Sequence, residues 1–526
     1  MTNSIEEIEK APLIFIIGSN TTEAHPVISY RVKKAAREGS TIIVADPRRI
    51  EMVEYADIWL QHRPGTDVPL INGLLHIIFR DDLWDREYVE ERTEGLAELR
   101  EAVASFPPDR VSQITGVSEE QLTRVAHLYA RAESAAILYA MGITQHISGT
   151  DNVFSLANLA LITGNLGRPN AGVNPLRGQN NVQGACDMGG LPNVYPGYQK
   201  VDDPEIASKF ARAWGEAPDP QPGLTMMELM EGAVQGQIKG LYIMGENPVL
   251  SEPDSTHSKE ALSSLDFLLV QDIFLSETAE LADVVLPGVS FAEEEGTFTN
   301  TERRVQRVRQ AIPPLGGARS DWKIIMELAQ KLGYDWQYNS PEEIFQEMAS
   351  LTPHYGGITY DRIAQEGIQW PCPDPDHPGT RYLHQGKFPR GRGKLHAIDY
   401  IPPAELPDEE YPFLLTTGRK LTQYHTGTLS RRSSGLSGID PEEMVEINPV
   451  DAAKLELEEG DRMVISSRRG QVTARAFPTE RVPKRIIFMT FHFSESAANI
   501  LTNPALDPVA KIPEFKVCGV KIEKAE

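Results

Sequence analysis

Short apolar runs that end in polar, glycine-containing or acidic loops recur along the first third of the chain. The runs are rich in Ile, Val and Leu, as is typical of strands buried on both faces of a parallel sheet, and amphipathic segments of helical length separate them. Strands are predicted at residues 13–17, 41–45, 56–60 and 134–141, and helices at residues 21–37, 68–79 and 153–163. The pattern predicts a βαβ domain whose strands lead into polar loops, which is where α/β domains hold their ligands.

The same alternation returns after about residue 190. Strands are predicted at residues 238–244, 267–270 and 282–286, and a helix at residues 321–332. Residues 293–306 are too polar for a core element and are predicted to be a long excursion that packs on another part of the assembly. A second α/β domain is therefore expected, and two such domains imply two nucleotide-sized half-sites.

The pattern changes in the last third of the chain. Residues 354–392 are rich in Pro, Gly, Asp and His without sustained periodicity, and are predicted to be an irregular connection. From Tyr411 onward, short strands with turn residues between them indicate a small β-barrel. These strands are predicted at residues 413–417, 444–447, 462–465, 471–474 and 486–490.

The predicted fold class is α/β, with two doubly wound dinucleotide-binding-like domains and a C-terminal β-barrel domain. A chain of 526 residues is long enough for several such domains. The predicted boundaries are 1–178 for the first α/β domain, 179–342 for the second, 343–395 for the irregular connection and 396–526 for the barrel. The polar loops of the barrel domain are expected to cover a ligand held by the α/β domains.

Charge and cysteine usage exclude several classes of function. Lys and Arg number 51 against 75 Asp and Glu, a net charge of −24, which argues against a nucleic-acid or anionic membrane surface. No basic and apolar leader opens the sequence and no apolar run approaches the roughly 20 residues that span a bilayer, so a cytoplasmic location is predicted. Cys186, Cys372 and Cys518 lie too far apart in sequence for a disulfide framework or a C-x-x-C metal motif.

Residues 174–190 hold the densest group of candidate ligand-binding side chains. The segment contains four glycines, five uncharged amide side chains and one cation, Arg177, and it is predicted to be neither an ordinary helix nor an ordinary strand. Because the planar guanidinium matches a carboxylate or phosphate, Arg177 beside Gly178 and Gln179 suggests recognition of a small anion. The alternative is a Gly/Asn-rich surface loop that binds nothing.

Acidic side chains follow two of the predicted strands of the first domain. Asp46 stands at the carboxyl end of the second strand, where an acid can hydrogen-bond a ribose. Asp67 in Gly65-Thr66-Asp67 could accept the N–H groups of a guanine. For both residues, a turn or helix-capping role is the alternative.

With these features together, the chain resembles the molybdenum or tungsten bis-pterin guanine dinucleotide oxidoreductases, and most closely the formate dehydrogenases. The most specific part is residues 176–189, LRGQNNVQGACDMG. The resemblance implies that Arg177 is the catalytic residue that holds the formate carboxylate, and that Gly178 and Gln179 contact the pterins. It further implies that the guanine dinucleotides are bound by Gly18, Asn20, Glu23, Asp46, Arg48, Gly65, Asp67, Met141, Gly142, Gln145, Gly245, Glu246, Asn247, Gln271, Asp272, Arg419, Tyr424, Asn499, Phe515 and Lys516.

The sequence departs from the family pattern in its front end. The resemblance implies an iron-sulfur cluster on four cysteines, a lysine between cluster and pterin, and a selenocysteine or cysteine bound to the metal and followed by histidine, and none of these motifs is found here. We therefore expect a carboxyl-terminal part of a catalytic subunit, from a split gene or a restart after a selenocysteine codon, that is inactive alone and works with electron-transfer subunits or a carrier. An oxoanion reductase of the nitrate type and a non-catalytic cofactor-binding or assembly protein remain the alternatives.

Overall fold

The computed structural model describes residues 1–525, which form two compact units. One unit comprises Met1–Gly178, Leu250–Thr256 and the chain from Tyr382 onward, and the other comprises Gln179–Val249 and His257–Arg381. The division of the chain into four parts made from the sequence stays a prediction.

The first unit contains a five-stranded parallel sheet. Its strands are β1 (Leu13–Ile17), β2 (Thr41–Ala45), β3 (Ile58–Leu60), β4 (Ala135–Tyr139) and β5 (Gly172–Pro175), in the spatial order β3-β2-β1-β4-β5. The chain thus runs outward from β1 to one edge and then returns to build the other half. This is the doubly wound order, and its switch point, where ligands bind, lies between β1 and β4.

Alternate residues of β1 enter two different cores. Leu13, Phe15 and Ile17 belong to the larger hydrophobic cluster, while Ile14 and Ile16 belong to the cluster on the opposite face. Successive side chains of a strand point to opposite faces, so the apolar run at β1 is explained by helices covering both sides of the sheet. The helices of this part are Ile5–Ile8, Thr21–Ala24, Pro26–Arg37, Asp67–Arg80, Arg86–Arg92, Leu96–Ala104, Pro108–Thr115, Glu119–Arg131, Met141–Thr144 and Gly149–Ile162.

The helix predicted at residues 21–37 is wrong as a continuous element. It is divided into Thr21–Ala24 and Pro26–Arg37 by His25, whose backbone is non-helical at φ −140° and ψ 59°. Pro26 has no N–H and its ring disfavours a helical conformation of the residue before it. The break was therefore encoded in the sequence.

Residues 174–190 as a whole are neither one helix nor one strand, as predicted, but they contain parts of both. Their first two residues end β5, which pairs with β4 in parallel, and Val182–Asp187 is a helix. Asn174 is fully buried in β5, where its side chain accepts a hydrogen bond from the Asn3 N–H at 3.1 Å. This long-range partner, which lies 171 positions away, explains how a polar residue occupies a buried strand.

The second unit contains a three-stranded parallel sheet and a smaller antiparallel one. The parallel strands are β6 (Gly240–Met244), β7 (Phe267–Asp272) and β8 (Val284–Pro287), in sequential order. The antiparallel strands are β9 (Gly296–Thr299), β10 (Arg304–Val308) and β11 (Ile368–Gln369). Helices of this unit include Pro204–Trp214, Met226–Val234, Asp321–Lys331 and Pro341–Leu351.

The predicted excursion at residues 293–306 is wrong, because most of this segment forms the β9–β10 hairpin within its own unit. Its charged side chains are paired locally: Arg304 Nε lies 2.8 Å from Glu302 Oε1. Arg303, only 1% exposed, donates to the backbone carbonyls of Trp370 and Thr380. The polar composition of this segment therefore did not exclude regular structure, because its buried charged side chains have hydrogen-bond partners.

The C-terminal part of the first unit is a closed six-stranded barrel, as predicted. Its strands are β12 (Phe413–Gly418), β13 (Met444–Ile447), β14 (Arg462–Ser466), β15 (Gln471–Pro478), β16 (Ile486–Thr490) and β17 (Cys518–Lys524). Five of the six match predicted strands, and the closing strand β17, which alternates between buried and exposed residues only from Val520 to Glu523, was missed. Within residues 1–525, no helix is long and apolar enough to cross a membrane.

Candidate functional site

A deep cleft in the first unit opens at the carboxyl ends of the parallel strands. It is lined by the loops after β1, β2, β3, β4 and β5 and by barrel residues, and holds about 1290 Å³ of empty space including its open mouth. Its position at the switch point of the sheet suits a dinucleotide.

Two glycines bring the first and fourth strand-end loops into contact at the base of this cleft. The Gly142 N–H donates to the Gly18 carbonyl at 3.0 Å. A Cβ on Gly142 would lie 2.5 Å from the Gly18 oxygen, and Gly18 itself has a φ of +56°. Both positions therefore require glycine, and the contact fixes the loops that flank the switch point.

Three cationic side chains face the cleft. Arg48 stacks over the Phe488 ring, with 3.8 Å between its guanidinium carbon and the ring centroid, and its Nε lies 3.7 Å from Glu446. Arg419 donates to the Gly178 carbonyl at 3.0 Å, and Lys516 donates to the Thr417 carbonyl at 2.7 Å. Such a group of fixed cations in a protein of strongly negative net charge indicates a site for an anion such as a diphosphate.

Lys516 is the most perturbed of the three cations. It is 8% exposed, and burial, reinforced by repulsion from Arg419 and Arg48, lowers its pKa from the ordinary 10.5 to about 7. Burial of the charged ammonium group therefore destabilises the folded chain, and a bound anion would offset this loss of stability.

Two acidic residues of the cleft, Asp46 and Glu23, are partly buried. Asp46 caps the turn after β2 by accepting from the Arg48 N–H at 2.9 Å, and burial raises its pKa. Glu23 lies 3.4 Å from Arg48, and burial raises its pKa despite that neighbour. These carboxyl groups leave Arg48 only partly neutralised.

Several polar atoms of the cleft have no partner within the described part of the chain. Ser19 Oγ, Asn20 Oδ1, Arg48 Nη1 and His62 Nδ1 are buried and lack a hydrogen bond. Buried polar atoms are nearly always hydrogen-bonded in folded proteins, and all four residues line the cleft. The residues present therefore fit a bound polar molecule with phosphate, ribose and base groups.

The cleft brings together most of the residues that the sequence singled out. Those that line it are Gly18, Asn20, Glu23, Asp46, Arg48, Gly65, Asp67, Met141, Gly142, Gln145, Gly178, Arg419, Asn499, Phe515 and Lys516. Asn499 also donates to the Leu250 and Ser251 carbonyls at 2.8 and 3.0 Å. Their binding role stays a prediction, now with a common location.

The other eight predicted residues do not line this cleft, and three of them are Arg177, Gln179 and Tyr424. Arg177 lies between Leu176 and Gly178, which do, and its carbonyl accepts from His25 Nε2 at 2.9 Å. Gln179 begins the segment assigned to the second unit. Tyr424 is 37% exposed, and its N–H donates to Ser430 at 2.9 Å.

A second group of predicted residues meets at the carboxyl ends of β6 and β7 in the second unit. The Gly245 N–H donates to the Gln271 carbonyl at 2.9 Å. Glu246 follows β6, and Asp272 is the last residue of β7. Asn247 donates to Glu277 at 2.8 Å, and Gln271 donates to Asp321 at 2.6 Å. The amide side chains are thus engaged with carboxylates of their own unit.

Asp187, in the glycine- and amide-rich segment, is a buried carboxylate held by several neutral donors. Tyr355 and Trp370 donate to its Oδ2 at 2.5 and 2.7 Å, and Gln183 and Tyr198 donate to its Oδ1, both at 2.8 Å. Burial raises the pKa of Asp187 although all four donors oppose the shift. This network fixes the Val182–Asp187 helix that follows Gln179.

Sequence reasoning missed three histidines and two phenylalanines of the cleft. His25, His62 and His146 line it, as do Phe488 and Phe491. His62 could have been noticed, because it is a polar residue directly after an apolar strand and five positions before Asp67. Nothing local marks His146 or the phenylalanines.

Within residues 1–525, no group of three or more His, Cys, Asp or Glu side chains could hold a metal ion.

Comparison with known proteins adds family and fold to this geometry. The family model described as Molybdopterin oxidoreductase matches residues 1–331, and that of the Molydopterin dinucleotide binding domain matches residues 413–519. The F420-dependent formate dehydrogenase subunit alpha of Methanocaldococcus jannaschii is 53% identical over 100% of this chain and 78% of that protein. Formate dehydrogenase H of Escherichia coli is 41% identical over 99% of this chain and 74% of that protein. The structure of acetylene hydratase from Pelobacter acetylenicus matches with a TM-score of 0.80 at 21% identity, over 99% of this chain and 79% of that chain, a likeness of fold.

Proposed function

The chain belongs to the molybdopterin oxidoreductase family, among the formate dehydrogenase alpha subunits, and on that premise we propose that it serves the oxidation of formate to carbon dioxide. It does so with a molybdenum or tungsten bis-pterin guanine dinucleotide. Identities of 41–53% to formate dehydrogenase chains over nearly its whole length support this function.

The observation that carries the proposal is the cleft of the first unit. Its cations Arg48, Arg419 and Lys516 suit the diphosphate of a guanine dinucleotide, and Asp46 and Asp67 suit its ribose and base. When bound, the cofactor's metal takes up the electrons that formate loses. The side chains of this chain bind and orient the reactants.

Arg177 is proposed to hold the formate carboxylate. A guanidinium presents two parallel N–H donors to the two carboxylate oxygens, which fixes the orientation of the C–H bond as well as the position of the ion. The carbonyl of Arg177 is held by His25, and the next residue is held by Arg419. The backbone that presents the guanidinium is therefore tied at two successive residues.

The test is steady-state kinetics of the enzyme purified from its own host with its partner chains. Formate-dependent dye reduction is expected, and nitrate reduction is not. Arg177→Lys should lower kcat/KM for formate by about 10- to 100-fold, because one charged hydrogen bond contributes roughly 1.5–3 kcal/mol and lysine lacks the fork.

The control for this test is Arg131→Lys, at the exposed end of the Glu119–Arg131 helix. It should leave kcat/KM unchanged. If Arg177→Lys also leaves kcat/KM for formate unchanged, Arg177 has no part in substrate binding. If the wild-type enzyme reduces nitrate and leaves formate unoxidised, the proposed function is wrong.

The electron acceptor is proposed to be reached through a partner subunit. Two relatives, 53% and 50% identical and from Methanocaldococcus jannaschii and Methanococcus maripaludis, are F420-dependent formate dehydrogenase alpha subunits. We therefore propose F420 as the final acceptor, and a cytoplasmic location remains part of the proposal. The purified complex should reduce F420 with formate, and reduction of an artificial dye without any reduction of F420 would contradict this assignment.

A further inference from the structure

Asp67 lies in the cleft between two buried histidines. His62 Nε2 is 3.1 Å from Asp67 Oδ1, and His146 Nε2 is 4.0 Å from Asp67 Oδ2. All three residues are 3% exposed. The Nδ1 atoms of both histidines are buried and have no hydrogen-bond partner among residues 1–525. The protonation state of a carboxyl group buried in this way is set by the groups around it.

The two histidines act on Asp67 in different ways. Burial alone would raise the pKa of Asp67. Attraction by His62 and its hydrogen bond, with smaller contributions from His146 and a backbone hydrogen bond, outweigh burial, so the pKa of Asp67 is lowered. The reciprocal effect of Asp67 raises the pKa of His62. Burial lowers the pKa of His146, whose Nε2–H donates to the Gly142 carbonyl at 2.9 Å. His62 and Asp67 thus each favour the charged form of the other, whereas burial favours the neutral form of His146.

The ionisation state of Asp67 decides which nucleobase it can bind. An ionised carboxylate only accepts hydrogen bonds, which matches guanine, whose N1–H and 2-amino group are adjacent donors. Adenine and cytosine place a ring nitrogen acceptor beside an amino donor, and a protonated carboxyl group matches that pair. Sites that hydrogen-bond a ligand strongly reject analogues that leave buried groups unpaired.

We propose that His62 is a specificity-determining positioning residue, which keeps Asp67 ionised and oriented so that the cleft selects guanine over adenine and cytosine. This inference rests on the proposed function, since it concerns the base of the guanine dinucleotide. Asp67 also begins the Asp67–Arg80 helix, whose N-terminal dipole favours the carboxylate. Without His62, the effect of burial would be opposed only by that dipole, by His146 and by a backbone hydrogen bond to Asp67.

Other ionisable groups surround the pair on every side. Asp46 follows β2, His146 follows β4, and Tyr400 and Lys516 come from the segments before and within the barrel part. Asp46 raises the pKa of His62, and Lys516 lowers that of His146. The pair is thus embedded in a set of charges that a single substitution at residue 62 leaves in place.

The experiment measures binding of GDP, ADP and CDP to the full 526-residue chain purified without cofactor, by calorimetry from pH 6 to pH 8. The wild-type chain should prefer GDP throughout this range, because Asp67 stays ionised. In His62→Gln, the amide still donates to Asp67 but carries no charge. Its preference for GDP over ADP should fall as the pH is lowered, by about 10-fold or more at pH 6, the size expected for one charged hydrogen bond.

Two further variants separate action through Asp67 from a general loss of structure. His76→Gln changes a half-buried histidine on the same helix that bonds the Val103 carbonyl at 3.0 Å, and it should leave the nucleotide preference unchanged. In Asp67→Asn, the guanine preference should be lost at every pH. Adding His62→Gln to that variant should then have no further effect, since the two residues act as one unit.

Distinct results would overturn the inference and the proposed function. His62 does not set specificity if His62→Gln keeps the wild-type preference at pH 6, or if it weakens the binding of all three nucleotides equally at every pH. The proposed function stands in either case. If the wild-type chain binds the three nucleotides equally, the guanine assignment itself is wrong. The wild-type pH profile requires no variant to fold, so it remains a test in every case.

Discussion

The buried charge of Lys516 gives a prediction in which stability and binding change in opposite directions. The change is Lys516→Met, which keeps the length of the side chain and removes the charge. An unfolded lysine keeps its proton up to its ordinary pKa of 10.5, whereas in the folded chain the pKa is about 7. Between these values the unfolded state binds more protons, so stability rises with pH. Below about pH 7 both states are protonated and the full penalty is present.

The size of the effect follows from the same two values. One pKa unit corresponds to about 1.4 kcal/mol, so a pKa lowered from 10.5 to about 7 costs the folded state about 5 kcal/mol at and below neutral pH. Methionine leaves the Thr417 carbonyl without its donor at 2.7 Å, which costs about 1–3 kcal/mol. The charge outweighs the lost hydrogen bond, so Lys516→Met should raise the free energy of unfolding by about 2–4 kcal/mol at pH 7.

The assay is urea denaturation of the wild-type and variant chains, without cofactor, at several pH values from 6 to 10. The stability difference should be largest at pH 6–7 and shrink toward pH 10. Lys521→Met, at a half-exposed lysine in β17, is the matched control and should show no such trend. The variant should also bind GDP more weakly, because the site has lost a cation. A variant less stable than wild type at pH 7, or a stability difference independent of pH, would refute the reasoning.

Three other changes test the packing around the site. Gly142→Ala places a Cβ 2.5 Å from the Gly18 carbonyl oxygen, which should cost about 1–3 kcal/mol of folding stability. The melting temperature and the amount of co-purified guanine nucleotide should therefore both fall. Wild-type values of both would contradict the contact. Asp187→Asn replaces an acceptor of four hydrogen bonds with an amide and should cost about 1–3 kcal/mol in denaturation, and a neutral result would mean that the network adds no stability. Asn499→Ala should free the backbone at Leu250, which faster local hydrogen exchange would show and unchanged exchange would disprove.

The sequence was sufficient to predict the fold class and most strands. The runs at β1 and β2 are continuously apolar because both faces of the sheet are covered, and this signal is local. The alternating strands of the barrel were equally readable. The break at Pro26 was also written in the sequence and was overlooked. By contrast, the buried Asn174 in β5 depends on a partner 171 residues away, which no local pattern reveals.

The candidate site could be predicted only in part for the same reason. Loops after parallel strands converge at one edge of the sheet, so Asp46 and Asp67 could be placed together from topology. The contact of His146 with Asp67 joins two such loops, and the stacking of Phe488 on Arg48 joins the barrel to the sheet. These pairs depend on how the elements pack, and the side chains involved carry no distinguishing local signal.

The central claim is that this chain holds guanine dinucleotides for formate oxidation. The most direct measurement is the content of nucleotide and metal in the enzyme purified from its own host, after acid release, by chromatography and mass spectrometry. The account predicts two guanine nucleotides and one molybdenum or tungsten for each copy of this chain, with the nucleotide content lowered in Gly142→Ala. Purified, formate-oxidising enzyme that releases no guanine nucleotide, or releases adenine or cytosine nucleotides instead, would contradict it.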